Sequence, residues 1–390
     1  MPQKRIREES STSTPVRMIP SDARARGPEA GMGLCLSGGG YRAMLFHLGA
    51  LWRLNEAGML REFKRISSVS GGSITAGVLA RAWKQLNFDT RGVGVAFGPK
   101  VVDPIRKLSA RTIDTHAIIG GALLPGTIGD KLTNSYRRYL FEGTTLQDLP
   151  DEPRFVFNAT SVQSGVLWRF SKPYMADYRV GMVPNPKVEL AVVVAASSAF
   201  PPVLSPVELE LDPREFRAES GLDLQEEPYT SQVVLTDGGV YDNLGLETVW
   251  KRYKTVLISD GGGLLTPEAD PKRDWGRHSY RVLNIIHNQV TALRKRQAIQ
   301  SFIATDDEHN GTYWGINSQV ADYHLDDALP CPEERTVELA ATPTRLKRLE
   351  PVHQKRLINW GYAICDTAVR KYVKPTLTRP SGFPYPDVEV

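Results

Sequence analysis

The chain lacks any run of about 18 apolar residues, so no bilayer-spanning helix is expected. Cysteine is scarce. Cys35, Cys331 and Cys365 are widely spaced, odd in number and form no CxxC pair. That pattern argues against a disulfide framework or a zinc site and fits a reducing, cytoplasmic compartment. There is no excess of one charge either. Lys and Arg number 48 against 44 Asp and Glu, a formal net charge of +4. The two signs alternate along most of the chain, so nucleic acid is not expected as a partner. Residues 1–30 have no apolar h-region, so a secretory signal is not expected. Their Ser, Thr, Pro, Arg and Glu content reads as a flexible tail. Internal repeats are absent. What the sequence does have is 41% hydrophobic residues over 390 positions, enough for a substantial core.

Order begins at Gly33–Ser37, a short apolar run that reads as a buried strand. Gly38, Gly39 and Gly40 then form a tight turn. Residues 41–59 read as a helix, with Gly58 as its stop. A second strand near Arg65–Val69 runs into Ser70-Gly71-Gly72, and Ser73–Gln85 reads as the next helix. Strand, glycine turn and helix, repeated twice, is the pattern of a parallel α/β sheet. Further along, Arg154–Lys172 reads as a hairpin, and Ser231–Thr236 and Lys254–Ser259 as strands. Long helices are expected over Tyr280–Ala304 and Pro351–Tyr372.

Three places could carry chemistry. The glycines 38–40, followed by Tyr41 and Arg42, sit between a strand and a helix. Consecutive backbone N–H groups at a helix start suit an anion or a developing oxyanion. The plainer reading is a tight strand-to-helix connection. A dinucleotide fingerprint needs a further downstream glycine, and a Walker loop needs GK[ST]; the sequence has neither here. The second place is Ser68-Val69-Ser70-Gly71-Gly72. A serine on a sharp strand-to-helix corner exposes its oxygen and needs small neighbours. Ser68 stands where the usual GxSxG pattern has glycine, and a helix N-cap at Ser70 or Ser73 is the competing reading. The third is Asp237-Gly238-Gly239 at a strand end. Asp242 and Asp260 are rival carboxylates, and a turn aspartate is the plain alternative. A serine nucleophile ordinarily works with a histidine. Of seven histidines, His278 and His287 follow Asp237 in the order that a Ser-Asp-His triad would need; His47 reads as packing.

Taken in order, GGGYR at Gly38–Arg42, SVSGG at Ser68–Gly72 and DGG at Asp237–Gly239 resemble the patatin-like phospholipases. The stretch Ala195–Val207 resembles the family's small-residue helix running into prolines, and Asn243 sits where the family often has asparagine. The resemblance spans roughly Gly31–Gly263. It implies an α/β fold: a single patatin-like domain with a mostly parallel central sheet flanked by helices, and a nucleophile on a strand–turn–helix elbow. The domain would occupy residues 31–375, with the motifs in 31–263, a helical part in 280–375 and a C-terminal tail at 376–390. It implies a Ser70–Asp237 dyad without histidine, needing no metal or cofactor. Gly38, Gly39 and Gly40 would form the oxyanion hole, supported by Arg42, Gly71 and Gly72. The substrate would be membrane phospholipid, cleaved during peripheral membrane contact.

Several readings stay open at this point. A soluble esterase or thioesterase would use His278 or His287 in a triad. A non-catalytic lipid-binding protein would keep the fold alone. Some bacterial members of the family are antiphage effectors activated by cyclic nucleotides, and the C-terminal third could serve regulation or homo-oligomer formation, though no nucleotide motif occurs in it. The apolar stretch Ala117–Gly129 is a candidate interfacial loop. The clusters Arg294-Lys295-Arg296 and Arg345, Lys347 and Arg348 are candidate headgroup contacts.

Overall fold

A computed structural model describes residues 27–114, 127–304 and 309–390. The N-terminal half opens with β1 (Glu29–Leu36), α1 (Gly40–Glu56), β2 (Phe63–Ser68) and α2 (Gly71–Ala82). Then come β3 (Arg154–Ser161), β4 (Leu167–Phe170), β5 (Tyr174–Asp177), β6 (Gly181–Pro184), α3 (Leu190–Ser197), β7 (Val207–Glu210) and β8 (Gln232–Asp237). The last elements are β9 (Tyr253–Asp260), α4 (Trp275–Ile303), β10 (Asn310–Gly315) and α5 (Pro351–Tyr372). Shorter helical turns join them.

Among the described residues ten strands form one sheet, ordered β10-β9-β1-β2-β3-β4-β5-β6, with β8 on β3 and β7 on β8. β10, β9, β1, β2 and β3 run parallel. Helices cover both faces of this central part, which is why Val256, Leu257 and Ile258 in succession are fully buried. From β3 onward the sheet becomes an antiparallel meander through β6. The expected parallel α/β core is therefore present, with an antiparallel extension of which the sequence pattern announced only the first hairpin, β3 with β4.

β3 has an unusual arrangement along one edge. Its first half pairs in parallel with β2, ending at Ser68 opposite Phe157. Its second half pairs antiparallel with β8, which ends at Asp237 opposite Ala159. β4 holds the other edge. So β2 and β8 approach head-on along a single edge, and their last residues face positions two apart on β3. At about 3.3 Å rise per residue, that fixes the two strand ends within roughly 7 Å along the edge.

The C-terminal third completes the fold. β10 extends the parallel sheet beside β9, and α5 packs on α1. Two glycines allow this contact: a Cβ at Gly49 would strike the Ile358 carbonyl, and one at Gly361 would strike the Phe46 carbonyl. Across the same interface Arg53 Nε donates to Asp366 at 2.7 Å, and Arg370 Nε donates to the other Asp366 oxygen at 3.0 Å. All three side chains are buried, so removing one partner would strand a charge. Residues 376–390 contain no helix or strand, yet they are packed: Asn359 donates to the Tyr385 and Glu389 carbonyls, and Val390 is buried.

Some boundaries differ from the sequence reading. β1 starts at Glu29, inside the stretch read as tail. α2 starts at Gly71 rather than Ser73, and α4 at Trp275 rather than Tyr280. Of the stretch Ala117–Gly129, residues 117–126 lie outside the described residues. Thr127 caps the short helix that Ile128 opens, through a reciprocal box with Asp130. Among the described residues no helix is long and apolar enough to cross a membrane.

Candidate active site

Ser70 stands between β2 and α2 with φ 51° and ψ −119°. A non-glycine residue in this region costs of order 1–3 kcal/mol and must be held there by its surroundings. The holding bonds are visible. Val69 N–H donates to the Leu36 carbonyl, Gly72 N–H to the Ser37 carbonyl and Ser70 N–H to the Ser197 carbonyl, at 3.0, 3.1 and 3.1 Å. The turn is also crowded: a Cβ at Gly71 would meet the Gly40 carbonyl, and one at Gly72 the Leu36 carbonyl. Ser68, in place of the usual first glycine, is accommodated. Its Oγ accepts from Ser73 Oγ at 3.0 Å. The N-cap reading of Ser70 fails, because its side chain makes no capping bond to α2.

Asp237, the last residue of β8, is 1% exposed. Its Oδ1 accepts the Gly239 N–H at 2.7 Å. Its Oδ2 is buried without a partner of full hydrogen-bond geometry among the described residues. Ser70 is the side chain that interacts with this carboxyl, through a contact too long or too oblique to count as a formed bond. Burial pushes the Asp237 pKa up to about 7, with the Gly239 N–H and Ser70 pulling the other way. A carboxylate near neutrality can both take and return a proton at physiological pH.

The rival carboxylates are placed differently. Asp260 accepts from Gly262 N–H at 2.9 Å and from Tyr313 OH at 2.7 Å, one bond to each oxygen. Asp242 accepts the Glu247 N–H on one oxygen, which lies 3.7 Å from Arg294, and its other oxygen has no partner among the described residues, but it lies outside the cavity lining.

The glycine turn packs directly on the elbow. A Cβ at Gly38 would come within 3.1 Å of the Ser70 Cβ. Gly39 and Gly40 have φ 144° and 61°, which side-chain-bearing residues rarely adopt. Gly38 N–H donates to the Asn243 carbonyl at 3.0 Å. Its donor is thus engaged, contrary to a simple three-glycine oxyanion hole. Gly39 and Gly40 N–H have no acceptor among the described residues, and they open α1. Arg42 is buried and braces this turn: Nε donates to the Gly261 carbonyl at 3.0 Å and a terminal nitrogen donates to the Thr342 carbonyl. Its other terminal nitrogen has no partner among the described residues. Burial lowers its pKa to about 10, with Asp260 opposing.

Ser70, Asp237 and the glycines line a cavity of about 1280 Å³. Phe200 to Leu204 and α4 supply much of the apolar wall. His287, half-buried on α4, also lines it, with its ring 6.1 Å from Phe200. Burial lowers its pKa, with the Gly239 backbone opposing. His278 is exposed and outside the lining. His47 is buried between Ser259 Oγ at 2.8 Å and the Ser37 carbonyl at 2.9 Å, and burial takes its pKa down to about 4. It braces the first turn against β9 as a neutral ring.

Two positioning residues entered the sequence reading only through the resemblance, Asn243 by name and Ser197 within Ala195–Val207, and neither with a role. Ser197, at the end of α3, accepts the N–H of both Ser70 and Gly238 on its carbonyl, and its Oγ donates to the Asn158 carbonyl at 2.6 Å. It therefore ties the elbow, the aspartate turn and β3 together. Asn243 does the equivalent for Gly38 through its carbonyl. The signal for Ser197 was the small-residue run Ala195-Ala196-Ser197-Ser198 itself; backbone acceptors such as that of Asn243 leave no trace in residue type.

Comparison with known proteins identifies the family. The patatin-like phospholipase profile matches residues 34–250, more than half of the chain. The chain belongs to the patatin-like phospholipase family. A search of curated proteins finds no match. Among solved structures, human GIVD cytosolic phospholipase A2 is similar with a TM-score of 0.52 at 14% identity, covering 87% of this chain and 58% of that one. At that identity the likeness concerns the fold, and this chain spans under two thirds of that enzyme. VipD from Legionella pneumophila matches more loosely, with a TM-score of 0.34 at 15% identity, covering 86% of this chain and 66% of that one.

Proposed function

We propose that the protein hydrolyses fatty-acyl esters of membrane glycerophospholipids through an acyl-enzyme on Ser70. The observation that carries this reading is the partnerless Asp237 oxygen, buried beside a serine held on a strained elbow. Ser70 Oγ attacks the ester carbonyl carbon while its proton passes to Asp237. The carbonyl oxygen becomes an oxyanion facing the Gly39 and Gly40 N–H groups at the start of α1. Collapse breaks the ester C–O bond, and the lysolipid oxygen leaves with the proton from Asp237. Water then attacks the acyl carbon, gives its proton to Asp237, and the fatty acid departs as Ser70 regains a proton. Arg42 holds the glycine turn in place. Gly71 and Gly72 let α2 start against it. The cavity is larger than a drug-sized pocket, which suits an acyl chain.

The test is lipid mass spectrometry after incubation with mixed phosphatidylcholine–phosphatidylglycerol liposomes. Wild type should release free fatty acid and lysolipid, and Ser70→Ala and Asp237→Ala should release neither. An active Asp237→Ala beside a dead Asp260→Ala would overturn the dyad. One observation favours a second reading: His287 lines the same cavity, where a triad base would have to be. His287→Ala separates the two. The dyad predicts retained turnover with a pH–rate limb near 7, whereas a triad predicts loss of turnover.

A further inference from the structure

We propose that the outward face of α4 is the surface that seats this protein on an anionic lipid bilayer. The proposal rests on the lipid-hydrolase reading for its purpose, but on separate residues for its evidence.

An ordinary surface helix turns its apolar stripe to the core and its polar side to water. α4 does the reverse. Asn284, His287, Asn288, Thr291 and Lys295 face the cavity, and Ala298 and Ser301 are buried. Trp275, Val282, Ile286, Val290 and Leu293 are spaced by seven, four, four and three residues, which puts them on one stripe of a 3.6-residue helix. That stripe points away from the protein: Trp275 is 86% exposed, Ile286 55% and Leu293 59%. A contiguous apolar strip of this length on the surface marks an interaction site. It also borders the mouth of the catalytic cavity, because Trp275 and Leu283 are both exposed and part of its lining.

Charge selects the occupant. Residues 271–303 contain seven Lys and Arg and one Asp, and α4 itself has no acidic residue. Arg277, Arg281 and Arg294 are paired with Asp274, Glu268, and Asp242 with Glu247. Lys272, Arg273 and Arg296 are exposed and pair with no carboxylate among the described residues. A second copy laid on this face would set its own cations against these. An anionic bilayer answers both features at once: acyl chains take the apolar stripe and headgroups take the flanking cations. Docked this way, the enzyme would meet its substrate at the cavity mouth.

The experiment measures co-sedimentation of the full chain carrying Ser70→Ala with vesicles of phosphatidylcholine and phosphatidylglycerol. Ile286→Asp with Leu293→Asp should lower the partition coefficient about a hundredfold, since two large apolar side chains are removed from the contact. Ile286→Leu with Leu293→Met should restore it. Lys272→Glu with Arg273→Glu should lower it about tenfold, and neutral phosphatidylcholine vesicles should bind more weakly than the anionic mixture. In the chain with Ser70 intact, the aspartate pair should leave hydrolysis of p-nitrophenyl butyrate within about twofold, because neither residue lines the cavity. Unchanged vesicle binding in the aspartate pair would overturn the proposal. So would a wild-type dimer by light scattering that the aspartate pair splits, which would make α4 an interface between copies. If wild type binds vesicles but cleaves no ester, the docking surface stands and the hydrolase reading falls.

Discussion

Replacing Asp237 by Asn should stop turnover and, at alkaline pH, make the protein more stable. Asp237 is buried, and its pKa sits near 7 rather than at the ordinary 3.8. Below the ordinary value the carboxyl is protonated in both folded and unfolded chains, and burial of a neutral acid costs little. Between about 4 and 7 the unfolded chain ionises while the folded one holds its proton, so stability falls as pH rises through that window. Above the folded pKa the native state carries a buried charge at full cost. A shift of this size, at about 1.4 kcal/mol per unit, corresponds to roughly 4 kcal/mol as an upper value, and we expect about 2–4 kcal/mol. Asn keeps the bond from Gly239 because its Oδ1 accepts the same N–H, and it never ionises. At about 2.1 cal/mol/K of unfolding entropy per residue, a chain of 390 residues shifts by about 1 °C per kcal/mol. The assay is thermal unfolding of wild type and Asp237→Asn from pH 4 to pH 9. The two melting curves should run together near pH 4, separate through pH 7, and stay apart by about 2–4 °C above it. Parallel melting-temperature profiles across the whole range would refute the claim that Asp237 titrates near neutrality in the folded protein.

Three further predictions follow from named contacts. Ser70→Gly relieves the positive φ and should raise stability by about 1 kcal/mol in urea unfolding while abolishing fluorophosphonate labelling; a destabilised variant would show that the elbow is unstrained. Gly361→Val drives a side chain into the Phe46 carbonyl, and urea unfolding should show a loss of about 3 kcal/mol or more; a loss under 1 kcal/mol would mean that α1 and α5 can separate freely. Arg42→Lys cannot reach both the Gly261 and Thr342 carbonyls, so p-nitrophenyl butyrate turnover should drop at least tenfold with about 2 kcal/mol lost in stability. Turnover equal to wild type would remove Arg42 from the support of the glycine turn.

Much of the site was readable because its constraints are steric and local. A glycine run after a buried strand and a serine before two glycines each report a backbone with no room for a Cβ, and Gly39, Gly40, Gly71 and Gly72 meet that condition in the structure. α5 was readable to its ends because Pro351 opens it and its apolar period is long. β5 and β6 were not: four residues each, with Asp177 and Pro184 at their ends, carry too little alternation to register. β10 was hidden by Gly311 and Gly315. The engagement of Gly38 was beyond reach, because its acceptor is a backbone carbonyl more than 200 positions away. α4 was legible as a long helix, but periodicity cannot say which side of a helix faces the protein.

The head-on meeting of β2 and β8 along β3 gives the middle of the chain an unexpected responsibility. The separation of Ser70 and Asp237 is stored in the hydrogen-bond register of β3, a strand that contributes neither residue. The loops between those strands can lengthen or shorten without touching that distance. A slip of one residue in β3 against β8 would shift Asp237 by about 3.3 Å and turn its side chain to the opposite face of the sheet. Variation in this protein should therefore be tolerated in the length of its connections and penalised in the alignment of one strand, so that insertions are harmless where a silent-looking change in β3 is not.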